Sequence, residues 1–148
     1  MEVAAECPAC GMHGGPVETV TLKSLLRPDA LARLDPQARH RFCGTPVCPV
    51  VYWWSSGHFI EADLRVPVFQ KGSANPLPVC YCFGFTEEDV ERDARQLGRS
   101  SVLDTIRQHV AAGRCACELQ NPQGSCCLGN VAAVAKRAMA NGHGGTQL

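Results

Sequence analysis

Residues 77–139 read LPVCYCFGFTEEDVERDARQLGRSSVLDTIRQHVAAGRCACELQNPQGSCCLGNVAAVAKRAM, and their cysteines decide how the chain is understood. Cys80 and Cys82 form a Cys-x-Cys pair ahead of two helical patterns. Cys115 and Cys117 follow, then the adjacent Cys126 and Cys127, then a third helical pattern. Six thiols gathered at the ends of three short helices suit a metal cluster better than a disulfide framework. A bridge within a C-x-C or C-C pair is strained.

The helix boundaries in this stretch are legible. Thr86 is an expected N-cap, with Glu87, Glu88 and Asp89 in the first turn, where the helix dipole favours acids. Val90, Ala94 and Leu97 share a face, and Gly98 stops the helix. Ser100 or Ser101 caps a second helix striped by Val102, Ile106 and Val110 and ended by Gly113. Asn130 is expected to cap a third, with Val131, Val134, Ala135 and Ala138 at helical spacing.

Working outward, residues 70–78 (QKGSANPLP) are polar, with Gly and two prolines, and read as a linker. The expected organisation is a β-rich domain over 1–70, a linker over 71–77, a helical domain over 78–140 and a flexible, Gly-rich tail over 141–148. The fold class is α+β. In the first part, residues 17–26 (VETVTLKSLL) are rich in β-branched types and read as a strand. Pro28-Asp29 opens a short helix. VVYWW and HFIEADLRVPVF, separated by Ser55-Ser56-Gly57, read as a β-hairpin whose Tyr52, Trp53, Trp54 and Phe59 supply bulk to a small sheet.

The chain has 148 residues and ten cysteines, with 14 basic and 14 acidic side chains and no formal net charge. Composition therefore makes no electrostatic case for nucleic acid or a membrane surface. No apolar run is long enough to span a bilayer. The N-terminus MEVAAECPAC is acidic and lacks the apolar segment of a secretory signal, so a cytoplasmic location is expected.

Cys7-x2-Cys10 and Cys43-x4-Cys48 each lie in a Gly/Pro turn near an expected strand. Two such turns brought together make a closed site of four thiolates, which suits Zn2+. A small sheet buries little surface, so the metal would supply much of its folding energy. His13, three residues after Cys10, could replace a cysteine as ligand, but four thiols already complete the set; His40, His58 and His109 read as ordinary surface or helix residues rather than ligands, and His143 lies in the tail.

The second half offers six thiols where a site needs four. A [2Fe–2S] cluster fits better than a second zinc. With four thiolates it carries a charge of about −2 to −3, and it needs backbone N–H groups and positive helix ends around it. Helices are expected to begin after Cys82 and after Cys127, and Gly84, Gly124 and Gly129 allow close backbone approach. The residues alone leave open the choice between Cys115 and Cys117, and between Cys126 and Cys127.

The C-x-C, helix, helix, Cys order resembles bacterioferritin-associated ferredoxin-type [2Fe–2S] domains, with a departure: Glu118 stands where that pattern has its last cysteine. The motifs CPAC, CGTPVC, PVCYC and NPQGSCCLGNV, in this order, resemble the N-terminal part of archaeal-type CopZ copper chaperones over nearly the whole chain. That resemblance implies a zinc domain joined to a [2Fe–2S] domain. It implies zinc ligands Cys7, Cys10, Cys43 and Cys48, and cluster ligands Cys80, Cys82, Cys117 and Cys127, with Cys115 and Cys126 as spare thiols. The Asn121-Pro122-Gln123-Gly124 turn would bring the ends of the last loop together.

The resemblance also implies a role in copper homeostasis. The expectation is a non-enzymatic electron carrier or metallochaperone-like protein, reducing Cu(II) to Cu(I) or handing Cu(I) to a partner. That partner would be a copper chaperone, a copper transporter or another redox protein. Spare thiols would suit transient Cu+, a soft ion. The GMxCxxC motif of a ferredoxin-like copper domain does not occur here, since Gly11-Met12 follows its cysteine pair, so copper delivery by such a domain is not expected of this sequence. The rival expectation is a structural or sensory protein-binding module with no electron-transfer role.

Overall fold

The computed structural model describes residues 2–146, with side chains described for residues 2–140. The chain forms two units. One comprises Met1–Ser73 together with Glu118–Ser125; the other comprises Ala74–Cys117 and Cys126–Leu148. The architecture is α+β: a small antiparallel sheet with short helices, and a helical unit with its own two-stranded hairpin.

In the first unit, β1 (Pro16–Val17), β2 (His40–Phe42), β3 (Val50–Trp54) and β4 (Gly57–Ile60) form an antiparallel sheet in that spatial order. Arg41 faces Pro16 on one side and Trp53 on the other. A bulge between Val50 and Tyr52 alters the alternation of β3. Val51 and Tyr52 therefore enter the main core with Leu22, Leu26, Phe59, Leu64 and Val68. Val50 and Trp53 instead pack with Cys7, Cys43 and Cys48. Trp53 also donates from Nε1 to the Ala4 carbonyl at 2.9 Å.

Two sequence expectations are corrected here. The strand expected over 17–26 ends at Val17, and α1 (Thr19–Leu25) follows it. Thr21, Leu22, Leu25 and Leu26 are buried while Lys23 and Ser24 are exposed. That is a helical period, and burying those leucines outweighs the β preference of the β-branched residues. α2 (Pro28–Leu31) starts at a proline, as expected of that residue at the first helical position. The second hairpin strand is also shorter than expected. After Ile60 the carboxylates take the backbone donors: Asp63 Oδ2 accepts from Ile60 N at 2.9 Å and Glu61 Oε2 accepts from Val68 N at 2.7 Å. The chain turns through a 3-10 segment at Glu61–Asp63 instead of continuing the ladder.

The second unit opens with β5 (Pro78–Cys80) and β6 (Phe85–Thr86), paired antiparallel, a hairpin the sequence patterns did not signal. Gly84, at φ 77°, makes its turn. α3 (Glu87–Leu97) begins with a reciprocal cap: Asp89 N donates to Thr86 Oγ1 and Thr86 N donates to Asp89 Oδ2. Gly98 ends it in the left-handed region. α4 (Ser101–Ala111) is capped by Ser100, whose hydroxyl accepts from Leu103 N. α5 (Cys117–Gln120) is one turn. α6 (Leu128–Thr146) starts two residues before the expected cap at Asn130 and runs through the Gly-rich stretch expected to fray. The tail expectation for residues 147–148 lies outside the described residues, as does the side chain of His143. Val79, Val90, Ala94, Ile106, Val131, Val134, Ala135 and Ala138 are buried in this unit.

Candidate metal centres

Two tight turns make the first site. Cys7 N donates to Met12 O and Gly11 N to Cys7 O, with Gly11 at φ 77° closing the turn around Cys7 and Cys10. Cys43 N is held by Val51 O, and Cys48 N by Thr45 O, which folds the second turn. Gly14 lets the turns close on the indole: a Cβ there would lie 2.3 Å from Phe42 O and from the Trp53 ring.

The four sulfurs of Cys7, Cys10, Cys43 and Cys48 all lie within 4.8 Å of one another. Cys7 and Cys48 are 3.8 Å apart, and Cys10 and Cys43 are 3.7 Å apart. A tetrahedron with Zn–S bonds of about 2.3 Å has edges of about 3.8 Å, so the set has the dimensions zinc requires. The surroundings favour thiolates on one side of it. The Thr45 hydroxyl, 3.4 Å away, and the Met12 backbone lower the Cys10 thiol to about 6. The Lys71 ammonium lies 3.8 Å from the Cys43 sulfur and 2.7 Å from Thr45 O. Burial pushes Cys48 up to about 12, a cost that a divalent ion reverses. His13 and His58 are exposed. His40 departs from the surface role expected of it: it is buried on β2, its ring 5.4 Å from that of Trp54.

In the second unit the structure brings Cys82 and Cys117 together, with sulfurs 3.6 Å apart. Cys80 and Cys127 share a hydrogen bond that lowers the Cys80 thiol to about 7 and, with burial, raises Cys127. Burial likewise raises Cys117 to about 12. These are two sulfur pairs rather than one tetrahedron. Backbone donors converge on them. Cys80 accepts from the backbones of Phe83, Cys82 and Phe85, Cys82 accepts from Ala116 N at 3.2 Å, and Cys117 accepts from the Cys127 backbone. Cys115 is half-buried and Cys126 exposed, and the pairs run through Cys117 and Cys127 instead. Cys126 is near enough for its charge to act on both.

The helix ends differ from the expectation. α3 carries its own capping box and three acids in its first turn, so its positive end is already served within the helix. α6 begins at the residue after Cys127, with no acid in its first turn, and Val131 N donates to Cys127 O. The Phe83 ring stacks on His109 at 4.2 Å, a contact that the sequence patterns missed because all of α3 and most of α4 stand between the two in sequence.

Comparison with known proteins agrees with this geometry. Residues 4–65 match a family model described as a zinc binding domain, of the CopZ type. No curated protein matches. The chain is similar to the X-ray structure of the Archaeoglobus fulgidus CopZ N-terminal domain, with 26% identity, a TM-score of 0.71, and coverage of 87% of this chain and 96% of that one. Residues 4–65 are thus similar to a CopZ-type zinc binding domain, they hold four sulfurs at tetrahedral distances, and the fold over most of the chain is similar to that of the CopZ N-terminal domain.

Proposed function

We propose that this chain is a one-electron redox protein of copper homeostasis, holding zinc at Cys7, Cys10, Cys43 and Cys48 and a [2Fe–2S] cluster at Cys80, Cys82, Cys117 and Cys127. The observation that carries the reading is the second sulfur set. Two thiol pairs, Cys82 with Cys117 and Cys80 with Cys127, match the two-thiolates-per-iron demand of a two-iron core, and five backbone N–H groups are turned on their sulfurs. When bound, the cluster supplies reversible one-electron exchange. The chain's own part is electrostatic. The N–H donors and the start of α6 favour the anionic form of the sulfurs, and Val79, Val90 and Val131 are buried in the same unit. The zinc site is closed by four thiolates and has no open position for substrate, so its role is to hold the sheet. The copper connection rests on the CopZ likeness. Cys115 and Cys126, outside the two sulfur pairs, are the soft ligands for transient Cu(I), delivered to or received from a copper chaperone or transporter.

Anaerobic purification followed by metal and sulfide analysis tests this. The expected content is two irons, two sulfides and one zinc per chain, with visible colour bleached by dithionite. Bleaching must be accompanied by reduction of Cu(II) on addition of the reduced protein. Zinc in both sulfur sets, persisting after iron–sulfur reconstitution, would sink the reading. A cluster that cannot be reduced in the working range would instead make the chain a structural or sensory module.

A further inference from the structure

The loop between the second pair of cluster cysteines is built as part of the zinc unit. Eight of the nine residues separating Cys117 from Cys127, Glu118–Ser125, belong to the unit that holds the four-sulfur site, although both cysteines belong to the other. The loop is anchored along its length. Thr21 Oγ1 donates to Glu118 O at 2.6 Å, and Ser24 Oγ to Leu119 O at 2.5 Å, from successive turns of α1. Tyr52 Oη, wholly buried, donates to Pro122 O at 2.5 Å. Gln70 Nε2 donates to Gln123 Oε1 at 2.6 Å. Asn121 is buried and folds the loop internally, accepting at its carbonyl from Gly124 N and at Oδ1 from Gln123 N. Gly124, at φ 74°, is pressed so closely on the end of β1 and the start of α1 that a Cβ would lie 2.8 Å from Val17 and 3.3 Å from Thr21 Oγ1.

The anchors are continuous with the zinc ligands. Tyr52 follows Val51, whose carbonyl holds Cys43 N. Gln70 packs against Gly44, the residue after Cys43, and its neighbour Lys71 reaches the Cys43 sulfur and Thr45 O. The Tyr52 and Gln70 anchors therefore adjoin the turn that presents Cys43.

We infer that residues 118–125 are an arm of the zinc unit that fixes the spacing of Cys117 and Cys127, so that zinc loading preorganises the second ligand pair of the cluster. The inference deepens the proposed function and takes its cluster assignment from it. Thr21, Tyr52 and Gln70 are positioning residues: they touch the loop and act on the cluster through it. Without zinc the turn around Cys43 loosens, the anchors lose their frame, and closing a loop of nine residues must be met from the cluster's own binding energy. The coupling is reciprocal, because a ligand that fixes the loop ends also favours the docked loop.

Two measurements on the full chain test this. The first needs no iron. In a Cys80→Ser/Cys82→Ser/Cys115→Ser/Cys117→Ser/Cys126→Ser/Cys127→Ser variant, which leaves the four-sulfur set of the zinc unit as its thiols, one equivalent of zinc is added to metal-free protein and amide hydrogen exchange is followed. Protection of Gln123 and Gly124 is expected to rise together with that of β2 and β3. Protection of the sheet alone, with residues 118–125 exchanging as before, overturns the inference whatever the second site binds. The second measurement reads the cluster in otherwise unmodified protein. Tyr52→Phe keeps the ring and loses one hydrogen bond, and should speed cluster loss to a chelator about fivefold and change the cluster's visible circular dichroism, with zinc content intact. Should Tyr52→Phe fail to fold, Gln70→Leu serves in its place. Unchanged loss rate and spectrum in a zinc-loaded variant would overturn the inference, while wild-type protein without a cluster would refute the proposed function and leave the exchange result to decide.

Discussion

At the residue scale the two sulfur sets differ in geometry, although they are built from one type of side chain. The first is a compact set with Lys71 and the Thr45 hydroxyl beside it, which stabilises thiolates around one divalent ion. The second is two pairs under backbone N–H groups, with Cys126 exposed at its edge. Replacing Cys82 or Cys127 by serine is expected to abolish the visible absorption of the reconstituted protein, while Cys126→Ser retains it, as read from the spectrum and iron content. His40 supplies a pH dependence of its own. Burial holds its pKa below the ordinary histidine value. The unfolded chain therefore takes up the proton first as pH falls, and the stability present above about pH 6.5 is lost below it. His40→Phe, which keeps an aromatic ring against Trp54, should shrink the difference in Tm between pH 7.5 and 5.5. An undiminished difference would assign that dependence to other groups.

At the element scale, capping decides boundaries and burial decides type. The Thr86–Asp89 box fixes the start of α3 close behind the turn that carries Cys82. Thr86→Ala removes one half of it and is expected to cost about 1 kcal/mol, read as a lower denaturation midpoint of the helical signal with zinc retained. α1 shows the limit of local preference. Its β-branched start, Thr19-Val20-Thr21, is helical because Leu22, Leu25 and Leu26 reach the core only on a helix. The same helix turns Thr21 and Ser24 onto the loop at 118–119. A β-strand in that place would send residues three apart to opposite faces and lose one of these bonds.

At the scale of the whole molecule, the chain passes between its units after Ser73, after Cys117 and after Ser125. Both tryptophans, Trp53 and Trp54, lie in the zinc unit, so their fluorescence reports on it alone. Chelation of zinc is expected to shift that emission to the red as Trp53 loses its packing against Cys7, Cys43 and Cys48, while the far-ultraviolet signal of α3, α4 and α6 persists. Simultaneous loss of both signals would mean that the helical unit has no stability without the metal. No helix among the described residues is long and apolar enough to cross a membrane.

The sequence by itself pointed to soft-metal ligation and marked most helix ends. Thiols in short pairs within Gly/Pro turns dictate soft-metal ligation, and Thr86, Gly98, Ser100 and Gly113 mark α3 and α4 because caps act within a few residues. The Asn121–Gly124 turn was legible for the same reason. Only the tertiary structure decided which sulfurs stand side by side, since Cys115 and Cys117, like Cys126 and Cys127, are chemically alike and differ only in where the backbone sends them. It alone turned residues 19–25 into a helix, buried His40, and assigned 118–125 to the zinc unit. Those outcomes depend on side chains from α1, β3 and the Gln70 turn that meet across tens of residues, a range over which no local pattern carries information.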